Sequence, residues 1–298
     1  MNLNQIVNNA KDKSQFKDLK GYINFCTDYL KYVSDNLQAV IVSQNENHYC
    51  FYQYDKSGDF QISRPINSKL MYNTNDFEKT AVEYQKILKG LKGSKTNDKS
   101  IREIINNSTY TIQQSIGAAL DALPAGKSNT ARKLNGDLFE NFIRLIIKEI
   151  GIECRTGVIQ IPVMVNGEKQ FDMSYQHDLI VDKENEIKLI GSIKTSSKDR
   201  IDKIFIDKFL YNKLTEKQTP HIAIFLNDVQ RKNTKKENEY GINATFLPGH
   251  FKGYTVKLNP LDGVYYCDIR PNMITEAILK DHIKTFDNLI VEDIWNLI

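Results

Sequence analysis

A chain of 298 residues that is 41% hydrophobic can bury a substantial core, in one large domain or a core domain with a smaller partner, and wholesale disorder is excluded. Lys and Arg total 40 against 37 Asp and Glu, so with a net charge of +3 any face for a polyanion must come from clustering rather than from the total. Cys26, Cys50, Cys154 and Cys267 are scattered, with no CxxC and no His at metal spacing, which excludes a zinc module and predicts reduced core thiols of an intracellular protein.

No apolar run approaches the roughly 18 residues of a membrane span, and the stretch from Met1 to Gln5 has no basic region leading into an apolar one. A cytoplasmic protein with no membrane partner is expected. Residues 1–36 carry Ile6, Phe16, Leu19, Ile23, Cys26, Leu30 and Val33 at helical spacing and predict two short helices. From Leu37 the period shortens. Ala39 to Val42, His48 to Tyr52 and Phe60 to Ser63 are β-rich runs separated by polar turns, a small antiparallel meander.

Phe77 to Leu91 is helical again, and the basic, glycine-containing stretch from Lys89 to Ser100 reads as a solvated linker. Ile101 to Leu123 predicts another helix, closed by Pro124-Ala125-Gly126. From Thr130 to Ile150 the residues Leu138, Phe142, Leu145, Ile146 and Ile150 form one apolar face, so Glu140 rides an amphipathic helix that packs on the core. Thr219 to Leu226 is nearly continuous in apolar residues and predicts a buried strand. Asp228 to Tyr240, rich in Lys and Arg, reads as a mobile surface loop. Ala244 to Tyr254 and Gly263 to Asp268 read as strand and turn, and Asn272 to Ile298 as helix.

The stretch from His177 to Asp207 organises the rest. His-Asp-Leu-Ile-Val, an acidic turn over Asp182-Lys183-Glu184-Asn185, and Glu-Ile-Lys-Leu-Ile-Gly-Ser-Ile-Lys predict a hairpin, followed by a helix. Lys194 follows Asp178 by 194 − 178 = 16 positions, which sets the start of one strand beside the end of the other. Taken alone, this spacing is a loose pattern that ordinary hairpins also show.

Its continuation, Lys194-Thr195-Ser196-Ser197-Lys198-Asp199-Arg200 with Asp207 at 207 − 194 = 13 positions beyond the lysine, resembles the CCGG-type branch of PD-(D/E)xK type II restriction endonucleases, the group of EcoRII, SsoII and NgoMIV. In that group a Ser often replaces the usual Glu of the triplet, here Ser192-Ile193-Lys194, and a downstream acidic residue compensates, here Asp207. An upstream Asn-Gly-Asp-x-aromatic-Glu helix also matches, as Asn135-Gly136-Asp137-Leu138-Phe139-Glu140. His177 stands where the pattern has Pro, and Asp207 is one methylene shorter than Glu, with Asp202 as a fallback on the same helix. The resemblance covers roughly residues 135–268 and nothing before residue 120.

The resemblance implies an α/β (α+β) fold, a PD-(D/E)xK nuclease core with a central mixed sheet flanked by helices over 126–298, and a smaller N-terminal α+β subdomain over 1–125 whose role stays open. It implies Mg²⁺ held by the carboxylates of Asp178, Asp207 and Glu140, since hard oxygen donors suit that ion. Lys194 would orient or help deprotonate the attacking water, and Ser192 would leave room for the displaced carboxylate. Lys198, Asp199 and Arg200 supply the donors and acceptor that read guanine and cytosine edges, which implies a CC/GG-containing palindrome in double-stranded DNA. Cutting both strands implies a homodimer, with tetramers among relatives. A PD-(D/E)xK repair or mobile-element nuclease without sequence specificity, and a catalytically dead DNA-binding protein, are the alternatives.

Overall fold

The computed structural model of the chain describes residues 1–54, 62–93, 95–198, 200–236 and 238–298. The first two helical patterns form α1 (Leu3–Lys11) and α2 (Leu19–Asn36), each opened by an Asn or Asp side chain that accepts a first-turn backbone N–H. The meander follows as β1 (Ala39–Val42), β2 (Tyr49–Gln53) and β3 (Ile66–Asn67), all antiparallel. Of its expected third run, Phe60 and Gln61 lie outside the described residues, and Ile62 bridges to Gln53.

Next come α3 (Thr74–Leu91), α4 (Lys99–Asp121) and α5 (Ser128–Glu149). Every residue of α4 from Ile105 to Leu120 is buried, although half of them are polar. Their amide N–H groups find partners: Asn106 donates to the Cys267 carbonyl at 2.8 Å, Gln113 to the Asn135 side-chain oxygen at 2.9 Å and Gln114 to the Tyr110 hydroxyl at 3.0 Å, while the amide oxygens of the same three residues have none among the described residues. Burying polar groups is tolerated where such partners exist. One apolar core runs from Ile6 and Tyr22 through α4 and α5 to Leu179, Ile193, Ile224 and Ile294. That core takes residues from both sides of the exposed stretch 124–130, where the boundary was expected.

The main sheet is built from β4 (Cys154–Val165), β5 (Glu168–Lys183), β6 (Glu186–Ser196), β7 (His221–Asn227), β10 (Gly263–Tyr266) and β11 (Ile283–Thr285), in the spatial order β11-β10-β7-β6-β5-β4. β4, β5 and β6 are antiparallel and β6, β7, β10 and β11 parallel, so the sheet is mixed, as expected. Glu184 and Asn185, both left-handed at φ 55° and 63°, close the two-residue turn that joins β5 to β6. β7 is buried at all seven positions between two parallel neighbours, the environment its apolar run predicts. The helix α6 (Ile201–Thr215) follows β6 and packs through Ile201, Ile204 and Phe205 on Ala223 and Phe225.

Four stretches differ from the sequence reading. Residues 228–240 contain strand β8 (Val229–Asn233), paired with β9 (Tyr240–Ala244) in a hairpin, because Val229, Ile242 and Tyr240 alternate onto Tyr49, Phe51 and Ile62 of the meander. Pro248 opens a helix, α7 (Pro248–Lys257), where its fixed φ suits the first turn, and Phe251 and Thr255 form its buried side. The tail is broken into α8 (Ala277–His282), β11 and short helical turns, since Ile283 to Thr285 extend the sheet beside β10. β4 and the first half of β5, a long hairpin, have no counterpart in the sequence reading.

Candidate active site

The ladder between β5 and β6 ends with Leu179 opposite Gly191, and Asp178 stands just past that end. Between Ile180 and His177 the pairing advances three residues along β5 but two along β4, from Arg155 to Gly157. Such a bulge re-aims the side chains beside it. The bulge is tied down on both flanks. Arg144 on α5 donates to the Asp178 carbonyl at 3.1 Å, and Thr156 on β4 to the His177 carbonyl at 2.8 Å.

So placed, one Asp178 carboxylate oxygen accepts the Ile193 backbone N–H at 2.9 Å and the Lys194 ammonium at 2.5 Å. Glu140 arrives from the helical layer. Leu138, Phe139, Phe142 and Ile143 anchor α5 in the core, and Glu140 projects from just past its midpoint to accept Lys194 Nζ at 3.0 Å. Lys194 thus lies between two carboxylates. The side chains of Asp178, Glu140 and Lys194 are 15%, 25% and 32% exposed, so the group is shielded yet reachable from solvent.

Burial, with the Asp178 charge beside it, holds Glu140 above the usual carboxylate range against the pull of Lys194. For Lys194, burial opposes the charged form, but the Asp178 and Glu140 carboxylates outweigh it and keep the amine above its ordinary value. The lysine is therefore an ammonium at neutral pH, an electrostatic partner for anionic oxygen. Ser192, half-buried on β6 opposite Ala223, has no hydrogen-bond partner for its hydroxyl among the described residues.

Asp207 does not join this group. It accepts Lys203 Nζ at 2.6 Å, one turn earlier on the same helix face, and its charge acts on His177 and Tyr175. Asp202 sits half-buried in the first turn of α6 with no ion pair among the described residues. The expected meeting of three carboxylates is thus reduced to two, and among the described residues no three His, Cys, Asp or Glu are gathered to hold a metal. A spacing of 13 positions across a turn and a helix fixes distance along the chain but leaves the helix face open.

In the recognition segment, Lys198 and Arg200 are exposed and Lys198 Nζ donates to Gln230 Oε1 of β8 at 3.2 Å. Asp199 lies outside the described residues. Sequence reasoning missed Arg144, Thr156 and Gln230, which act through tertiary contacts. Only Arg144 left a signal, lying one helical turn after Glu140.

A second charged cluster lies past the ends of β7 and β10. Asp268 accepts the Tyr49 hydroxyl and the Asn67 amide, each at 2.8 Å. Asp228 faces Arg270 at 3.9 Å, and Arg270 also pairs with Glu46. Burial pushes both aspartates up to about 6.

No family model and no curated protein matches the sequence. Among solved structures, the chain is similar to the Type IIP restriction endonuclease Kpn2I, with a TM-score of 0.70 and 17% identity over 99% of this chain and 96% of that one. A further likeness, to the restriction endonuclease PspGI in complex with substrate DNA, has a TM-score of 0.44 and 13% identity over 74% of this chain and 90% of that one. The first establishes the fold, a mixed sheet flanked by helices that the chain shares over almost its whole length. No described helix is long and apolar enough to cross a membrane.

Proposed function

We propose that the protein is a Mg²⁺-dependent type II restriction endonuclease that cuts double-stranded DNA at a short palindrome containing CC/GG and leaves 5′-phosphates. The observation that carries the reading is the Lys194 ammonium held between Asp178 and Glu140, at the open end of a hairpin in a fold that a Type IIP restriction endonuclease shares. Two partly buried carboxylates are hard oxygen donors and fit a divalent ion such as Mg²⁺, with water and phosphate oxygens left to fill its shell. When bound, the ion supplies Lewis-acid polarisation of the phosphate and a more acidic water.

The chain's own residues do the rest. Asp178, fixed by the bulge and by the Ile193 N–H, would hold the ion with Glu140. Lys194 offers its ammonium to the oxygen charge that grows in the transition state and orients the attacking water. Glu140, with its raised affinity for a proton, is a group that can take one from that water. Asp207 is given no part in metal binding. Lys198, Asp199 and Arg200 are assigned to base edges, and a homodimer to cutting both strands.

Digestion of a phage genome tests the reading. Discrete fragments with Mg²⁺, and binding without cutting when Ca²⁺ replaces it, are expected. A smear would point instead to a nuclease without sequence specificity. Binding without cleavage in Mg²⁺ would point to a DNA-binding protein, the reading that the isolation of Asp207 favours.

A further inference from the structure

The β8–β9 hairpin has two faces of opposite character. In register, Val229, Arg231 and Asn233 stand opposite Ala244, Ile242 and Tyr240, while Gln230 and Lys232 alternate to the other side with Asn243. The first face is fixed. Val229, Ile242 and Tyr240 pack on Tyr49, Phe51 and Ile62, Arg231 donates to the Ile62 carbonyl at 2.8 Å, and its guanidinium lies 5.3 Å over the Tyr240 ring. Asn45 clamps the outer edge, donating to the Ile242 carbonyl at 2.9 Å and accepting the Ile242 N–H at 2.8 Å.

The second face turns toward the recognition segment, because Gln230 accepts the Lys198 ammonium at 3.2 Å. Lys232, on that same face, lies about 7 Å further along the strand. Lys232, and Lys235 near the tip, are exposed and form no ion pair with any described residue, whereas Lys236 is paired with Glu239 at 3.4 Å. β6 and β7 run parallel with Ser196 opposite Asn227, so β8 starts beside the end of the strand that carries Lys194.

We infer that the β8–β9 hairpin is a second DNA-contacting element, a ribbon braced by the N-terminal meander, whose Lys232 and Lys235 hold backbone phosphates next to the bases reached from Lys198 and Arg200. The inference rests on the DNA-cleaving reading above. A two-stranded ribbon has the width that a major groove admits, and an exposed Lys232 on its free face, with the exposed Lys235 just past the strand, supplies sequence-independent affinity. Gln230 acts as a positioning residue for Lys198. The role assigns work to the meander, whose Ile41, Tyr49 and Phe51, with Ile62, form the floor under the hairpin.

The test measures binding of a labelled random-sequence duplex in Ca²⁺ across a salt series, for the full chain and for Lys232→Ala/Lys235→Ala. Each phosphate left without its lysine lowers the steepness of log K against log salt by about 0.9, so a reduction of about 1.8 is expected. The fragment pattern in Mg²⁺ should stay the same, since lysines on phosphates carry no sequence information. An unchanged salt slope in a variant that keeps the parent's circular dichroism overturns the inference and leaves the nuclease reading standing. Failure of the unaltered protein to bind the duplex overturns both.

Discussion

The two charged clusters share an inventory and differ in setting. Glu140 and Asp178 flank Lys194, and Glu46 and Asp228 flank Arg270. In the first, all three side chains keep a path to solvent. In the second, Asp228 is fully enclosed, Asp268 beside it is 1% exposed, and the neighbours Tyr49 and Asn67 fill its coordination. Convergence of opposite charges alone therefore does not mark a site. What separates the two is whether oxygen lone pairs are left open to an incoming ion or phosphate, and whether the backbone under them is bent to present them. The first cluster should govern chemistry and leave the fold largely alone, and the second should do the reverse.

The largest effect should come from Asp178→Ala. It removes the carboxylate that the Lys194 ammonium and the Ile193 N–H both address. Plasmid cleavage should fall by at least about 10³-fold, with binding of duplex DNA in Ca²⁺ within a few-fold of the parent. Arg270→Met strikes the other cluster. It strands Asp228 and Glu46 without their cation, and losing one partner of a buried charge set costs about 3 kcal/mol. Urea unfolding reads that loss, and little change of the folded protein's cleavage pattern should accompany it.

The pH dependence of stability sharpens the contrast. Asp268 and Asp228 sit near 6 in the folded chain, against about 3.9 for an unfolded aspartate. A carboxyl with a raised folded-state value binds its proton more tightly when folded, so its stabilisation is full below about pH 4 and is lost as pH rises through 6. Asp268→Asn keeps the hydrogen-bonding shape and removes that proton. Its unfolding free energy should fall less steeply across this window, by about one proton's worth. An unchanged slope would show that Asp268 is ionised in the folded protein. The smallest effect is assigned to Asp207→Asn, which should lower cleavage by less than about tenfold; a loss as deep as that of Asp178→Ala would return Asp207 to the metal site.

Legibility in the sequence followed the range of the interactions. The β5–β6 hairpin is local: apolar alternation, an Asn in the turn and a lysine at the strand end suffice to bring Asp178 and Lys194 together. Glu140 was reachable through the strength of its helix's apolar face. The pairing of Asp207 with Lys203 was not legible, because a spacing along the chain does not say which helix face a residue takes. The β8–β9 hairpin was hidden because just Val229, Ile242 and the half-buried Tyr240 carry its apolar face among the described residues, and their partners Tyr49, Phe51 and Ile62 are far back in the chain. α4 read as a helix, but the continuous burial from Ile105 to Leu120 was illegible, since Asn106, Gln113 and Gln114 look solvent-facing until their partners in the fold are known.

The most direct test replaces the residue on which the site converges. Lys194→Met keeps the length of the side chain and removes the ammonium that bridges Asp178 and Glu140. Single-turnover cleavage of plasmid DNA in Mg²⁺ should drop by at least about 10³-fold relative to the unaltered protein, while duplex binding in Ca²⁺ persists. Cleavage within about tenfold of the unaltered protein would contradict the account.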